Sequence, residues 1–198
     1  VIIHDENTKR TTNRDGLVKD LTLSELRCLD ASNGMPAKFG LNPIPTLREY
    51  FEYIKDTDVF TNIELKNSLV PYEGMEEKTI ALIREFRLTD KVLFSSFNHF
   101  SMVKCKEISP DIKCAFLTSC CQIGAGAYAK QNGIEYINPR YNFLTDENMK
   151  ELNDHQIGAQ AWTVDNEEDM RRLVDHDIFA IITNCPDSLK KILDEQKV

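Results

Sequence analysis

Asn62-Ile63-Glu64-Leu65-Lys66 alternates polar and apolar residues at every step, the period of a strand whose successive side chains leave opposite faces. Asn62, Glu64 and Lys66 then share one face, and Ile63 and Leu65 the other. A carboxylate and an ammonium on one face of a half-buried strand need each other, a metal or an anionic ligand, because an unpaired interior charge is strongly unfavourable. Two readings follow: a wet strand face carrying a Glu–Lys pair, or a site.

Outward from this strand, short β-branched or aromatic runs recur at Val1 to Ile3, Val59 to Lys66, Val92 to Ser95, Cys114 to Leu117, Ile134 to Ile137, Ala159 to Val164 and Phe179 to Thr183, and each is predicted to be a strand. Helical patterns fall between them. Thr46 with Glu49 and Thr22 with Glu25 have the spacing of capping boxes, with Leu47, Tyr50, Phe51 and Ile54 forming one stripe behind the first. Further helices are predicted over about Met75 to Phe86, Phe100 to Ile108, Asp146 to His155, Glu167 to His176 and Pro186 to Glu195. Alternating strands and helices imply a parallel sheet, since parallel neighbours need crossover connections.

Polar residues gather at the C-terminal ends of the predicted strands: His4-Asp5, Glu64 to Lys66, Ser95-Ser96, Asn138, Trp162-Thr163 and Thr183-Asn184. Active sites of (β/α)8 barrels are built there, and open doubly wound sheets bind ligands at the same ends, so periodicity leaves both architectures open. No Gly-x-Gly-x-x-Gly follows a strand, which weakens a dinucleotide-binding version. About seven strands do not close an eight-stranded barrel, and the first run starts at residue 1. A preceding segment with at least one strand and one helix is therefore expected, with a shorter open sheet as the alternative.

At 198 residues, without a Gly/Ser/Pro-rich linker, the chain is expected to form a single domain over 1–198. Arg10-Thr11-Thr12, the Gly16 turn and the stretch to Leu29 suggest a small insertion near residues 6–45. The net charge of −8 with dispersed lysines argues against a nucleic-acid surface. No run approaches the roughly 20 apolar residues of a membrane span. The six cysteines show no Cys-x-x-Cys or zinc-finger spacing and suit free thiols in a reducing compartment, so a cytoplasmic location is expected.

His4 could exchange protons near neutral pH or be structural. Ser95-Ser96-Phe97-Asn98-His99 lacks a nucleophile elbow, and Asn98 fits better as a helix cap. Trp162, the single tryptophan, is either a core anchor or an apolar pocket wall. Pro186 fits the first turn of a helix.

In order and spacing, Val1-Ile2-Ile3-His4-Asp5, Arg10-Thr11-Thr12, Leu21 to Leu26 with Leu29-Asp30, Ile44-Pro45-Thr46-Leu47, Asn62 to Lys66, Ser95-Ser96-Phe97, Asn138-Pro139, Trp162-Thr163-Val164 and Ile182 to Asp187 resemble the glycerophosphodiester phosphodiesterase family. The resemblance spans essentially the whole chain. It implies a (β/α)8 TIM barrel, here lacking its first strand-helix-strand portion, and metal-dependent hydrolysis of small-molecule glycerophosphodiesters to glycerol 3-phosphate and an alcohol, placing the protein in glycerol and lipid metabolism. By the resemblance His4 is a catalytic acid or base, Glu64 a carboxylate ligand of Ca2+ or Mg2+, Lys66 a residue at the substrate phosphate, and Trp162 an aromatic substrate contact. The family's opening His-Arg-Gly and Glu-x-Asp, which supply the first catalytic histidine, an arginine and two more metal ligands, are not in this sequence, so the chain alone is expected to be inactive. The alternatives are a non-catalytic barrel that binds phosphate or lipid headgroups, and a related phosphodiesterase acting on lysophospholipids or sphingolipids.

Overall fold

The computed structural model describes residues 1–32 and 40–196. They fall into two compact units, Val1–Thr61 with Lys66–Lys91, and Asn62–Leu65 with Val92 onward.

The first unit is helical and looped. Both capping boxes form: Thr22 opens α1 (Leu23–Arg27) and Thr46 opens α2 (Leu47–Ile54), each side chain accepting from the backbone N–H of the glutamate three residues on while that glutamate accepts from the threonine N–H. Behind α1, Leu26, Leu29 and Ile44 pack with Ile3, Val18, Leu21 and Ala31. The amphipathic stripe of α2 buries Phe51 and Ile54, and the Phe51 ring tilts against Phe86 of α3 (Met75–Phe86) at 5.6 Å between centroids. Arg48 on α2 pairs with Glu85 on α3 across the exposed side of the contact.

Val1 to Ile3 is not a strand. The segment is extended, but the Ile2 N–H donates to the Pro45 carbonyl at 2.8 Å and Ile3 joins the Leu26 cluster. Of its three β-branched residues Ile3 is the packed one, while Val1 and Ile2 remain exposed. His4 accordingly follows an extended loop segment and does not sit at a strand end. Of the insertion expected near residues 6–45, residues 33–39 lie outside the described residues. The rest is tied by Thr8, whose hydroxyl donates to the Arg14 carbonyl at 2.7 Å, and by an antiparallel bridge between Asn7 and Leu17.

The second unit carries one six-stranded sheet in the order β1-β2-β3-β4-β5-β6. The strands are β1 (Thr61–Glu64), β2 (Val92–Ser96), β3 (Lys113–Thr118), β4 (Tyr136–Pro139), β5 (Gly158–Ala161) and β6 (Ala180–Ile181). The pairs from β2 to β6 are parallel. Between strands run α4 (His99–Ile108), α5 (Ala125–Gln131), α6 (Asp146–Asp154) and α7 (Glu167–Asp175), and α8 (Pro186–Glu195) follows β6. A sequential strand order is that of a barrel sheet. A doubly wound sheet reverses direction at a switch point, so the order decides between the two architectures.

Several strands are shorter than their apolar runs. Ile134 is buried but precedes β4, Trp162 and Val164 follow β5, and Val59 and Phe60 are exposed ahead of β1. In each case burial of an apolar residue extends beyond the ladder, or apolar character occurs without burial. Helix α5, which the sequence pattern did not reveal, starts after Gly124 in a left-handed conformation with φ 69°. At Gly126 an added Cβ would lie 3.0 Å from the Glu151 carbonyl oxygen. The glycine lets α5 approach α6 closely enough for Glu151 to accept from the Gly126 and Ala127 N–H groups at 2.8 and 3.1 Å.

Faces of the strands follow from Phe116. Its ring stacks on His99 of α4 at 4.1 Å and tilts on Tyr128 of α5 at 5.0 Å, so it faces the helices. Alternation then turns Ala115 and Leu117 to the opposite, inner face, and register carries Ser95, Tyr136, Asn138 and Gln160 with them. Tyr136 fits there because its neighbour is Gly158, where a Cβ would come within 2.7 Å of the ring.

The cap on α2 offers a direct check. The Thr46 backbone N–H and hydroxyl, with Arg27 beside them, hold the Glu49 carboxyl below the ordinary glutamate range. A lowered folded-state value means the contribution is complete above the unfolded value of about 4.3 and is lost as pH falls below it. By urea denaturation, Thr46→Ala should cost about 1 kcal/mol at neutral pH. The gap between wild type and Glu49→Gln should narrow as pH falls from neutral into the acid range, and a gap that widened in acid would contradict the cap.

Candidate active site

The side chains singled out from the sequence fall into two groups, one in each unit. In the first, His4 is flanked on both ring nitrogens. Its Nδ1 lies 2.6 Å from Asp5 Oδ1, and its Nε2 lies 3.4 Å from Lys66 Nζ. An ammonium can only donate, so these partners assign the Nδ1–H tautomer, with that N–H donating to Asp5 and the Nε2 lone pair directed toward Lys66. Asp5 is itself fixed by Arg10, whose Nε and Nη2 donate to its two oxygens at 2.6 and 2.8 Å. The Arg10 guanidinium, with the His4 hydrogen bond second, holds the Asp5 carboxyl far below the usual carboxylate range. The His4 side chain remains 66% exposed.

The second group lies on the sheet. Glu64 ends β1 and is half-buried, while Asn62 on the same face is exposed. The Ser95 hydroxyl donates to Asn62 Oδ1 at 2.8 Å, and Asn62 Nδ2 donates to Gln160 Oε1 on β5 at 3.4 Å. Trp162 is half-buried just beyond β5. Its indole Nε1–H donates to the Asn138 carbonyl at 2.8 Å, and its ring meets Phe97 edge-on at 5.7 Å. Trp162 is thus held in a fixed orientation by one hydrogen bond and one ring contact.

His4 and Lys66 are therefore brought together in one unit, while Glu64 and Trp162 belong to the sheet of the other. Among the described residues no cluster of three or more His, Cys, Asp or Glu side chains could hold a metal ion. The described donor set thus does not fit a complete metal centre, and Glu64 amounts to one hard oxygen donor.

Ser95, Ser96 and His99 do not form a nucleophile–base pair. Ser95 is committed to Asn62, and Ser96 Oγ donates to the Leu65 carbonyl at 2.8 Å. His99 stacks on Phe116 with its Nε2 3.0 Å from the Leu117 carbonyl. Asn98 caps α4 by accepting from the Ser101 N–H, and Pro186 opens α8. Of the cysteines, all free thiols, Cys105 and Cys114 are buried and Cys28, Cys120 and Cys121 are exposed. Burial pushes the Cys114 thiol up, away from reactivity.

The Arg10–Asp5–His4 chain and the Asn62–Gln160 contact were not assigned from sequence. The first had a local signal in the His4-Asp5 pair with an arginine five residues on. The second had only the alternation Ala159-Gln160-Ala161-Trp162, which sets Gln160 opposite two buried alanines.

A sequential, parallel α/β sheet with oriented polar and aromatic groups at the C-terminal strand ends belongs to the barrel class of enzymes and binding proteins. The model of the glycerophosphoryl diester phosphodiesterase family matches residues 1–188, and the chain belongs to that family. It is 39% identical over 189 residues to a glycerophosphodiester phosphodiesterase of Caldanaerobacter subterraneus subsp. tengcongensis, covering 96% of this chain and 78% of that protein. Among solved structures, a phosphodiesterase of Oleispira antarctica in complex with the product sn-glycerol-3-phosphate is 28% identical with a TM-score of 0.83, covering 97% of this chain and 78% of that one. A structure from Silicibacter pomeroyi superposes with a TM-score of 0.85 at 19% identity, covering 99% and 79%, a likeness of fold.

The single tryptophan makes its packing against Phe97 measurable. Phe97→Ala should shift Trp162 fluorescence emission to longer wavelength while far-ultraviolet circular dichroism stays unchanged. An unmoved emission maximum would contradict the edge-on packing.

Proposed function

We propose that this protein hydrolyses glycerophosphodiesters to glycerol 3-phosphate and an alcohol, with His4 as proton carrier, Lys66 at the phosphate, Trp162 against the substrate and Glu64 as one carboxylate donor to a divalent ion, Ca2+ or Mg2+. The observation that carries the reading is the His4 setting. One ring nitrogen is held by an arginine-anchored carboxylate, and the other faces an ammonium at 3.4 Å.

A phosphodiester is anionic and repels nucleophiles, so its hydrolysis needs charge neutralisation and proton transfer at the attacking and leaving oxygens. Lys66 supplies a positive charge next to the proton-carrying Nε2, and Asp5 stabilises the imidazolium that forms when that nitrogen takes up a proton. Trp162 offers a flat apolar surface whose orientation is fixed by its indole hydrogen bond. A hard divalent ion, when bound, would offset phosphate charge through oxygen ligands. The described residues hold no cluster of three donors for it. The same observation favours a second reading for the 198-residue chain taken alone, which is binding of a phosphate group without turnover. The barrel is read as a (β/α)8 fold, and the buried free thiols Cys105 and Cys114 suit the cytoplasm.

The test is release of glycerol 3-phosphate from glycerophosphocholine and glycerophosphoethanolamine by the product of the complete reading frame, before and after chelation, with Ca2+ or Mg2+ restored. Turnover should require the metal. His4→Ala should lower kcat by 100-fold or more, on the order expected for general acid–base catalysis, with metal affinity retained, and Glu64→Gln should weaken metal binding. The 198-residue chain alone should show no turnover. Full activity in both variants would remove the site assignment, and no release under any metal condition would remove the proposed reaction.

A further inference from the structure

The inner face of the second unit carries amides where an apolar layer would be expected. Asn138 on β4 is fully buried, and neither its Oδ1 nor its Nδ2 has a hydrogen-bond partner. Gln160 on β5 is 3% exposed, and its Nε2 likewise has none. Ladder pairing of Ile137 with Ala159 and the bridge of Arg140 with Trp162 put Asn138 beside Gln160 in register, with both side chains on the inner face.

Backbone and side-chain contacts hold this pair in place. Gln160 Oε1 accepts from Asn62, which accepts from Ser95, and the Asn138 carbonyl holds the Trp162 indole. Three polar atoms, two donors and one acceptor, are thus presented side by side just below Trp162. A buried amide atom without a partner loses its hydration with no return, so three together require an explanation. The pattern is uncharged and needs a group that both accepts and donates. A carboxylate or phosphate oxygen could satisfy the donors but not Asn138 Oδ1, and an ammonium could do only the reverse.

We infer that Asn138 and Gln160 form a buried subsite for a single neutral O–H group beneath Trp162. Two sources have that chemistry: a resident ordered water, which typically makes about three hydrogen bonds to such groups, or a hydroxyl of the substrate's glycerol. Only the second source rests on the proposed reaction.

Crystal structures of the protein grown without glycerol, alone and with sn-glycerol 3-phosphate, separate the outcomes. The inference requires an ordered oxygen within about 3.2 Å of Asn138 and Gln160 amide atoms. A water kept in both crystals identifies the solvent source, and its replacement by a glycerol hydroxyl identifies the substrate source. No ordered oxygen in either crystal overturns the inference.

Thermal unfolding supplies an independent reading. If the amides hold an O–H group, Asn138→Leu strands Gln160 Nε2 and should lower Tm by about 2–4 °C. If they are bare, the apolar replacement removes buried unpaired atoms and leaves Tm equal or higher, which overturns the inference. The ligand-free crystal answers even if the variant does not fold. It also stays informative if glycerol 3-phosphate does not bind, so failure of the proposed reaction is distinguishable from failure of the subsite.

Discussion

One hydrogen bond fixes the form of the sheet. Asn62 on β1 reaches Gln160 on β5 at 3.4 Å, although three strands stand between them in the ladder. Laid flat, strands four places apart would be separated by about 19 Å, so the inner faces of β1 and β5 can meet only if the sheet curls strongly on itself. Sequential parallel order, curl and inward-facing side chains are one constraint seen three ways. Crossover helices can cover only one face of such a sheet, and the other must fill its own interior.

That interior is divided between apolar and polar residues. Leu93, Ala115 and Tyr136 form an apolar cluster on the inner face, with Gly158 opposite Tyr136 giving the ring its space. One step along the strands toward their C-terminal ends, Asn138 and Gln160 take over, and the step after that brings Trp162. Polarity thus rises toward the end where barrels do chemistry. The amides carry a cost in stability that a purely apolar layer would avoid, and such costs are characteristically kept where a protein binds or positions something. Trp162 gains its orientation from the same place, through the carbonyl of Asn138.

Much of this was legible in the sequence because the signals were local. Both capping boxes, the boundaries of α3 and α8, the Asn98 cap and the alternation of strands with helices follow from neighbours within a few residues. Val1 to Ile3 misled because β-branched residues mark an extended segment without saying whether its hydrogen bonds go to a ladder or, as here, to the Pro45 carbonyl. Helix α5 was not predicted because its reasons lie outside a periodic apolar stripe: Gly124 takes a left-handed conformation before it, and Gly126 admits the close approach of Glu151. The tautomer of His4 and the Asn62–Gln160 contact join residues 62 and 98 positions apart, distances at which periodicity carries no information. The family resemblance supplied roles for His4, Glu64, Lys66 and Trp162 that composition and spacing left open.

The proposed reaction breaks one of two P–O bonds in the diester. Phosphorus NMR of glycerophosphocholine incubated with the complete reading-frame product and Ca2+ or Mg2+ resolves it directly, since the products of the two possible P–O cleavages have distinct resonances. The diester signal should be replaced by that of glycerol 3-phosphate, with choline released. Accumulation of phosphocholine, or an unchanged diester signal at every metal concentration, would contradict it.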